Sequence, residues 1–164
     1  MDGNHKLIRW RIVVHGGIDG YSRTVVFLEC ADNNRASTVL SAFACAIHTH
    51  GLPNRICSDL GGENVDIWRY IIEQHYSYSA VITGSSTHNE RIECLWWDVY
   101  QCVSSLYHDT FKKIGRGRGT RSPEWICLHF IFLPRINSTF KSFVESWNTH
   151  PGQVNIIWYQ TSYS

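Results

Sequence analysis

GLPNRICSDLGGEN, residues 51–64, contains a helix stop, a short buried strand, an acidic residue and a glycine loop in direct succession. Gly51 and Pro53 are expected to end a preceding helix, since glycine is favoured just past a helix end and proline cannot continue it. Residues 55–58 are predicted to form a short apolar strand that stops at Asp59. In open α/β sheets ligands bind at the carboxyl ends of strands, which makes Asp59 a candidate functional residue.

Strands and helices alternate on both sides of this segment. Upstream, residues 10–14 and 24–30 are rich in β-forming residues and flank a turn signal at residues 18–20, which predicts a β-hairpin. Residues 1–7 are expected to be the remainder of an earlier strand. Helical spacing of apolar residues predicts a helix over residues 35–50. Beyond Asp59, a helix over residues 64–74 and a strand over residues 78–83 follow.

The second half of the chain is predicted to be mainly helical. A long helix over residues 88–108 carries one apolar stripe, made of Ile92, Leu95, Trp96, Val99, Val103 and Leu106. A basic, glycine-rich loop, KKIGRGRGTR, follows at residues 112–121. Two further helices are predicted over residues 123–132 and 135–148. We therefore expect one α/β domain over residues 1–150, with an irregular C-terminal tail over residues 151–164.

Composition excludes several classes of protein. The net charge is only +1, so any contact with nucleic acid must come from a local patch. No apolar run approaches the roughly 18–20 residues that cross a bilayer, and we expect an intracellular protein without membrane contact. Six cysteines form no CxxC pair, so we expect buried, reduced thiols and no zinc site.

Three carboxylates come from three separate predicted elements. Asp2 lies in the leading strand, Asp59 follows the short strand, and Glu93 lies one turn into the long helix. Such a cluster would repel itself without cations, and oxygen ligands suit Mg²⁺ or Mn²⁺. Two such ions can clamp the attacking and leaving oxygens of an in-line displacement. This grouping is weak by itself, because 14 acids in 164 residues offer many triplets.

Four motifs strengthen it. They are DGNHKL at residues 2–7, GIDGYSR at 17–23, GLPNRICSDLGGEN at 51–64 and HNERIE at 88–93. Together they resemble the catalytic core of DDE-type integrases from retroviruses and related transposons, and most closely a group of eukaryotic, transposon-derived integrase-core proteins. The resemblance covers roughly residues 2–150, and its middle motif is the most specific. By position, Asp2, Asp59 and Glu93 match the family's D, D and E.

The resemblance implies an RNase H-like fold, with a mixed five-stranded sheet that has helices on both faces and a truncated first strand. It implies DNA integration chemistry, with metal-dependent strand transfer or nicking at Asp2, Asp59 and Glu93. Mg²⁺ or Mn²⁺ would be the cofactor, without a small-molecule cofactor. The resemblance also implies that DNA is the partner and that the protein acts in the nucleus. A homo-oligomer is a further expectation.

Several residues keep a second interpretation open. Asp19 competes with Asp2 for the first carboxylate, although Asp in a hairpin turn commonly bonds its own backbone. Glu63 and Asn64 could support the site or only the start of the following helix. Trp96 is expected in the core, whereas Trp97 could stack on a base or fill a dimer contact. The basic loop is either a solvated loop or a DNA-phosphate contact through Lys112, Lys113, Arg116, Arg118 and Arg121.

Departures from the family pattern support a second functional hypothesis. The chain starts one residue before Asp2, so half of the leading strand is expected to be missing. Cys94 and Trp97 stand where a basic residue is expected after the last acidic motif. The alternative to an enzyme is therefore a catalytically inactive, domesticated DNA-binding or protein-interaction module of the same fold.

Overall fold

The computed structural model describes residues 1–84, 90–114 and 122–149. The predicted loop at residues 84–87 therefore lies almost wholly outside the described residues, as do Arg116, Arg118, Arg121 and the tail at 151–164. The strands are β1 Asp2–Asn4, β2 Val13–Ile18, β3 Val25–Ala31, β4 Ile56–Ser58 and β5 Val81–Thr83. The helices are α1 Ala36–His50, α2 Val65–His75, α3 Glu90–Val99, α4 Ser105–Ile114 and α5 Ser122–Asn148.

The described strands form two groups. β1, β2 and β3 make an antiparallel sheet in that order, while β4 and β5 form a parallel pair. The two groups approach each other where the α-amino group of Met1 donates to the carbonyl of Cys57, 2.8 Å away. The fold is thus mixed α/β as predicted, but the single five-stranded sheet is not formed among the described strands. β1 is three residues long, and among the described strands it pairs with β2 alone.

The predicted hairpin is present but shifted along the chain. β2 begins at Val13 rather than at Trp10, which lies in a 3₁₀ turn over Ile8–Trp10. Gly16 and its neighbour belong to the strand and not to the turn. A Cβ on Gly16 would stand only 2.7 Å from the Trp96 ring. The glycine is therefore needed for close packing against α3, which a turn-residue count cannot detect.

Two hydrophobic clusters show that helices cover both faces of the hairpin. One cluster joins Val14 and Cys30 to residues of α3, α4 and α5, including Phe111 and Phe140, which are fully buried. The other cluster joins residues of α1, α2, β4 and β5, and Phe27 of β3 packs against it. Alternate residues of a strand point to opposite faces, so the hairpin serves two cores at once.

The helical half differs from the prediction in two places. The helix that begins at Glu90 continues through a π-helical turn, Tyr100–Ser104, to Ile114, so Lys112 and Lys113 lie in the last turn of α4 rather than in a loop. α5 is one helix of 27 residues that contains Pro134, where two helices were predicted. In the described part of the chain, no helix has the length and apolarity that a bilayer crossing requires.

The cysteines are reduced but mostly not buried. All six are free thiols; Cys30 is buried and Cys57 partly so, whereas Cys45, Cys94, Cys102 and Cys127 are exposed. The prediction of buried thiols was wrong because the apolar neighbours of these helical cysteines lie on other helix faces. Burial raises the pKa of the Cys30 thiol to about 12.

Candidate active site

Asp2 lies in β1, opposite Gly16 of β2. One carboxylate oxygen, Oδ1, accepts a hydrogen bond from the backbone N–H of Gly3 at 2.8 Å. The other, Oδ2, accepts from the indole Nε1 of Trp96 at 3.1 Å. The second bond connects the first strand to α3, which are 94 positions apart in the chain. The carboxyl group of Asp2 is therefore oriented by two donors from different elements.

Asp59 follows β4 directly and is held by the loop after it. Its Oδ1 accepts from the side-chain amide of Asn64 at 2.8 Å and from the backbone N–H of Gly61 at 3.4 Å. Asn64 is only 2% exposed and makes no side-chain cap for α2. Asn64 thus bonds the Asp59 carboxylate and does not cap α2 with its side chain.

The start of β1 lies beside β4. The α-amino group of Met1, which precedes Asp2, donates to the carbonyl of Cys57, two residues before Asp59. Burial lowers the pKa of this amino group, and charge attraction by Cys57, Asp2 and Asp59 opposes that shift. The fold therefore places the chain segments that carry Asp2 and Asp59 next to each other.

Glu93 is an exposed residue in the first half of α3. Ile92, before it, is buried, and Trp96, one turn after it, donates to Asp2. The helical turn that carries Glu93 is therefore fixed beside β1. Among the residues that the structure describes, however, no group of three or more His, Cys, Asp or Glu side chains is arranged to hold a metal ion.

The competing carboxylate, Asp19, has a turn role. Its Oδ2 accepts hydrogen bonds from the backbone N–H groups of Tyr21 and Ser22 and from the Ser22 hydroxyl, at 3.0, 2.6 and 2.9 Å. The hairpin turn uses this carboxylate to satisfy its own backbone donors. The expectation that Asp19 shapes the turn is confirmed.

The two adjacent tryptophans have the exposures that the helical pattern predicts. Trp96 is 7% exposed and Trp97 is 65% exposed. Sequence reasoning gave Trp96 a core role only and missed its bond to Asp2. The available signal was that Trp96 lies one helical turn after Glu93. Sequence spacing does not reveal, however, where the indole N–H of Trp96 points.

A polar cluster on the other side of β1 was also missed. A Cβ on Gly3 would lie 3.6 Å from His5 Nε2, 3.7 Å from Glu63 Oε1 and 3.8 Å from His15 Nδ1. His15 is 3% exposed and its Nε2 is 3.4 Å from the carbonyl of Asn33. Glu63, for which support of the site and support of the start of α2 were both left open, lies in this cluster, and its carboxylate also lies beside Gly61.

Comparison with known proteins places the chain in a family. Residues 1–155 match the model of the integrase core domain. The chain belongs to the integrase core domain family. Searches among curated proteins and among solved structures returned no match.

Membership in the integrase core domain family confirms the resemblance inferred from the four motifs. It supports an RNase H-like α/β fold and an integrase- or transposase-type function, and DNA as the class of partner. Of the five predicted DNA-binding residues, Lys112 and Lys113 are exposed on α4. The other three lie outside the described residues.

Proposed function

We propose that this integrase core domain cuts or joins DNA phosphodiester bonds with Asp2, Asp59 and Glu93 as its carboxylates and Mg²⁺ or Mn²⁺ as its cofactor. The observation that carries the proposal is the position of Asp2. Asp2 follows Met1, which donates to Cys57 two residues before Asp59, and the Asp2 carboxylate is bonded to Trp96, one turn from Glu93. The hydrogen bond from Met1 to Cys57 supports a complete RNase H-like sheet in which β1 lies between β2 and β4.

The chain's own residues would act by positioning. Trp96 and the backbone of Gly3 orient the Asp2 carboxylate, and Asn64 with Gly61 orients that of Asp59. Glu93 would complete the set by turning its exposed side chain toward them. Divalent cations held there would polarise the phosphate and activate a water or a DNA 3′-hydroxyl. The donor set consists of hard oxygen ligands, which fits Mg²⁺ or Mn²⁺.

The test is nicking of supercoiled plasmid DNA in Mn²⁺. We expect wild-type protein to relax the plasmid, and Glu93→Gln and Asp59→Asn to lose at least about 100-fold in rate, since each removes a carboxylate that would hold the metal ions. Asp66→Asn, which changes an acid on α2, is the matched control and keeps wild-type activity. Equal nicking by wild type and Glu93→Gln would show that the site is wrongly assigned.

A second candidate function is a non-catalytic DNA-binding or protein-interaction module, with the nucleus as its place of action in either case. The exposed, unassembled position of Glu93 and the absence of a three-ligand metal group among the described residues favour it. Binding of DNA without any Mn²⁺-dependent nicking by the wild type would decide for this module. Homo-oligomerisation stays a prediction under both functions.

A further inference from the structure

Positive charge is concentrated in two segments of the chain. Residues 5–18 contain Lys6, Arg9 and Arg11 and no acid, and residues 100–114 contain Lys112 and Lys113 with Asp109 as the single acid. These segments hold five of the 15 Lys and Arg residues and one of the 14 Asp and Glu residues. The rest of the chain is left with ten basic and 13 acidic residues, so the two segments carry a net charge of +4 and the rest of the chain −3.

The two segments meet in space. Trp10, from the loop between β1 and β2, is 5% exposed, and its ring centroid lies 5.4 Å from those of both His108 and Phe111 on α4. The carbonyl of Trp10 is 2.8 Å from Nε2 of His129 on α5. Lys112 follows Phe111 and lies one turn after His108. The side of α4 that holds the loop is therefore also the side that presents Lys112.

All five basic side chains are exposed. We call Lys6, Arg9, Arg11 and Lys112 the basic face. Lys6 Nζ lies 6.0 Å from the centre of the Tyr100 ring, and the Arg9 guanidinium lies 5.9 Å from that of Trp10. Aromatic rings beside the cations restrict where the charged groups can be without neutralising them.

The basic face adjoins the proposed active site. Its loop continues directly from β1, the strand that carries Asp2. Tyr100 is seven residues after Glu93, nearly the same side of the helix and about 10 Å further along it. Lys6 at Tyr100 thus supplies a cation near the stretch where Cys94 and Trp97 replace expected basic residues.

We infer that the basic face holds the sugar-phosphate backbone of duplex DNA next to the carboxylates, with the loop between β1 and β2 as its main part. The inference rests on the proposed DNA function. Phosphates spaced along a backbone fit several exposed cations in a row, and each one neutralised releases counterions. Continuity with Asp2 favours DNA over an acidic protein segment as the occupant.

The test is fluorescence anisotropy with a short DNA duplex in EDTA, over a range of salt concentrations. Lys6→Gln/Arg9→Gln/Arg11→Gln should weaken binding about tenfold or more at low salt and reduce the slope of log affinity against log salt by about 2–3 units. Arg55→Gln/Arg69→Gln/Lys141→Gln removes the same charge from exposed positions elsewhere and should keep the wild-type slope. Lys6→Gln/Lys112→Gln is a second variant that leaves the loop's arginines in place and should lose about 2 units.

A basic-face variant with the wild-type slope, or a control variant with the same loss, would overturn the inference. Competition by polyglutamate as effective as DNA of equal charge would overturn it too, since an acidic protein would then be the better occupant. Glu93→Gln should bind with the wild-type slope while losing nicking. If the basic-face variants reduce the salt slope but the wild type never nicks DNA, the catalytic proposal is refuted and the inference about the basic face is supported.

Discussion

Trp96 links the core of the protein to its proposed chemistry. The indole ring packs over Gly16, where even a methyl group would stand 2.7 Å from the ring, and its N–H donates to Asp2. Overpacking of this kind costs about 1–3 kcal/mol and moves the side chain that is pressed. A single residue thus makes the direction of a surface carboxylate depend on how well the interior is packed.

His15 provides the first prediction, which concerns stability against pH. Burial lowers the pKa of His15 below its ordinary value of 6.5; a bond to the Asn33 carbonyl and the charges of Glu63 and Glu29 oppose this, and His5 adds to it. The unfolded chain therefore binds a proton near pH 6.5 that the folded protein resists. Since stability rises with pH wherever the unfolded state binds more protons, His15 destabilises the fold as the pH falls below about 6.5.

We expect the melting temperature of His15→Gln to fall less than that of the wild type between pH 7.5 and 5.5, because glutamine does not titrate. The difference in the free energy of unfolding can reach at most about 1.4 kcal/mol per pH unit for one proton. His48→Gln, at an exposed position of α1, should follow the wild type. A His15→Gln curve parallel to that of the wild type would contradict the prediction.

At the scale of the element, the helix from Glu90 to Ile114 shows what periodicity can and cannot predict. The apolar stripe is right through Val103, which is 2% exposed, and wrong at Leu106, which is 66% exposed. The π-helical turn at Tyr100–Ser104 adds a residue to one turn and shifts the following positions, so Phe111 is buried instead. Phe111, buried after the shift, packs against Trp10 in the loop between β1 and β2. Such contacts between distant segments cannot be predicted from the local spacing of apolar residues.

α5 was predicted as two helices for an equally local reason. The two predicted helices ended at residue 132 and began again at residue 135, on either side of Pro134, and proline, which lacks an N–H, usually breaks a helix. Two other segments hold the helix on either side of this residue. Before it, His129 contacts the carbonyl of Trp10 in the loop between β1 and β2; after it, Asn137 and Asn148 bind the backbone of β3. Phe130, whose carbonyl loses its partner, is 83% exposed, where water can serve instead.

The second prediction concerns these asparagine contacts. The side chain of Asn137 accepts from the N–H of Cys30 at 2.8 Å and donates to the carbonyl of Cys30 at 3.1 Å. Cys30 lies in β3, an edge strand of its sheet, and is 3% exposed. Asn137→Ala leaves both groups without a partner and should lower the free energy of unfolding by about 1–3 kcal/mol, measured by urea denaturation. Ser138→Ala, at the exposed neighbouring position, should change it by less than about 0.5 kcal/mol. Equal stability of the two variants would show that α5 is held by apolar packing alone.

At the scale of the whole molecule, the proposed site lies where the two groups of strands approach each other. Helix and strand positions around residues 51–64 were predictable, because their signals are local and dense. The four family motifs also predicted Asp2, Asp59 and Glu93 as the site residues, which stays a prediction. What the sequence did not show is that β1–β3 and β4–β5 form separate groups joined near Met1 and Cys57. Sheet assembly depends on pairing between strands that are distant in the sequence. β1 has only three residues, so its sequence carries little information about its partners.

This arrangement leads to the last prediction, on metal and stability. Asp2 belongs to the antiparallel sheet and Asp59 follows the parallel pair, so a cation bound to both would tie the two groups together. A ligand that binds only the folded state stabilises it by mass action, by about 1.4 kcal/mol at ten times its dissociation constant. For a chain of this size that corresponds to a rise of roughly 3–6 °C in melting temperature. We expect Mn²⁺ to produce this rise in the wild type and EDTA to remove it. Asp59→Asn should show almost none of it, while Asp66→Asn should respond as the wild type does, because Asp66 lies on α2 and pairs with Arg69. An equal rise in Asp59→Asn would mean that Mn²⁺ binds elsewhere, and the two strand groups would then have to be held together by packing and the Met1 contact without help from a cation.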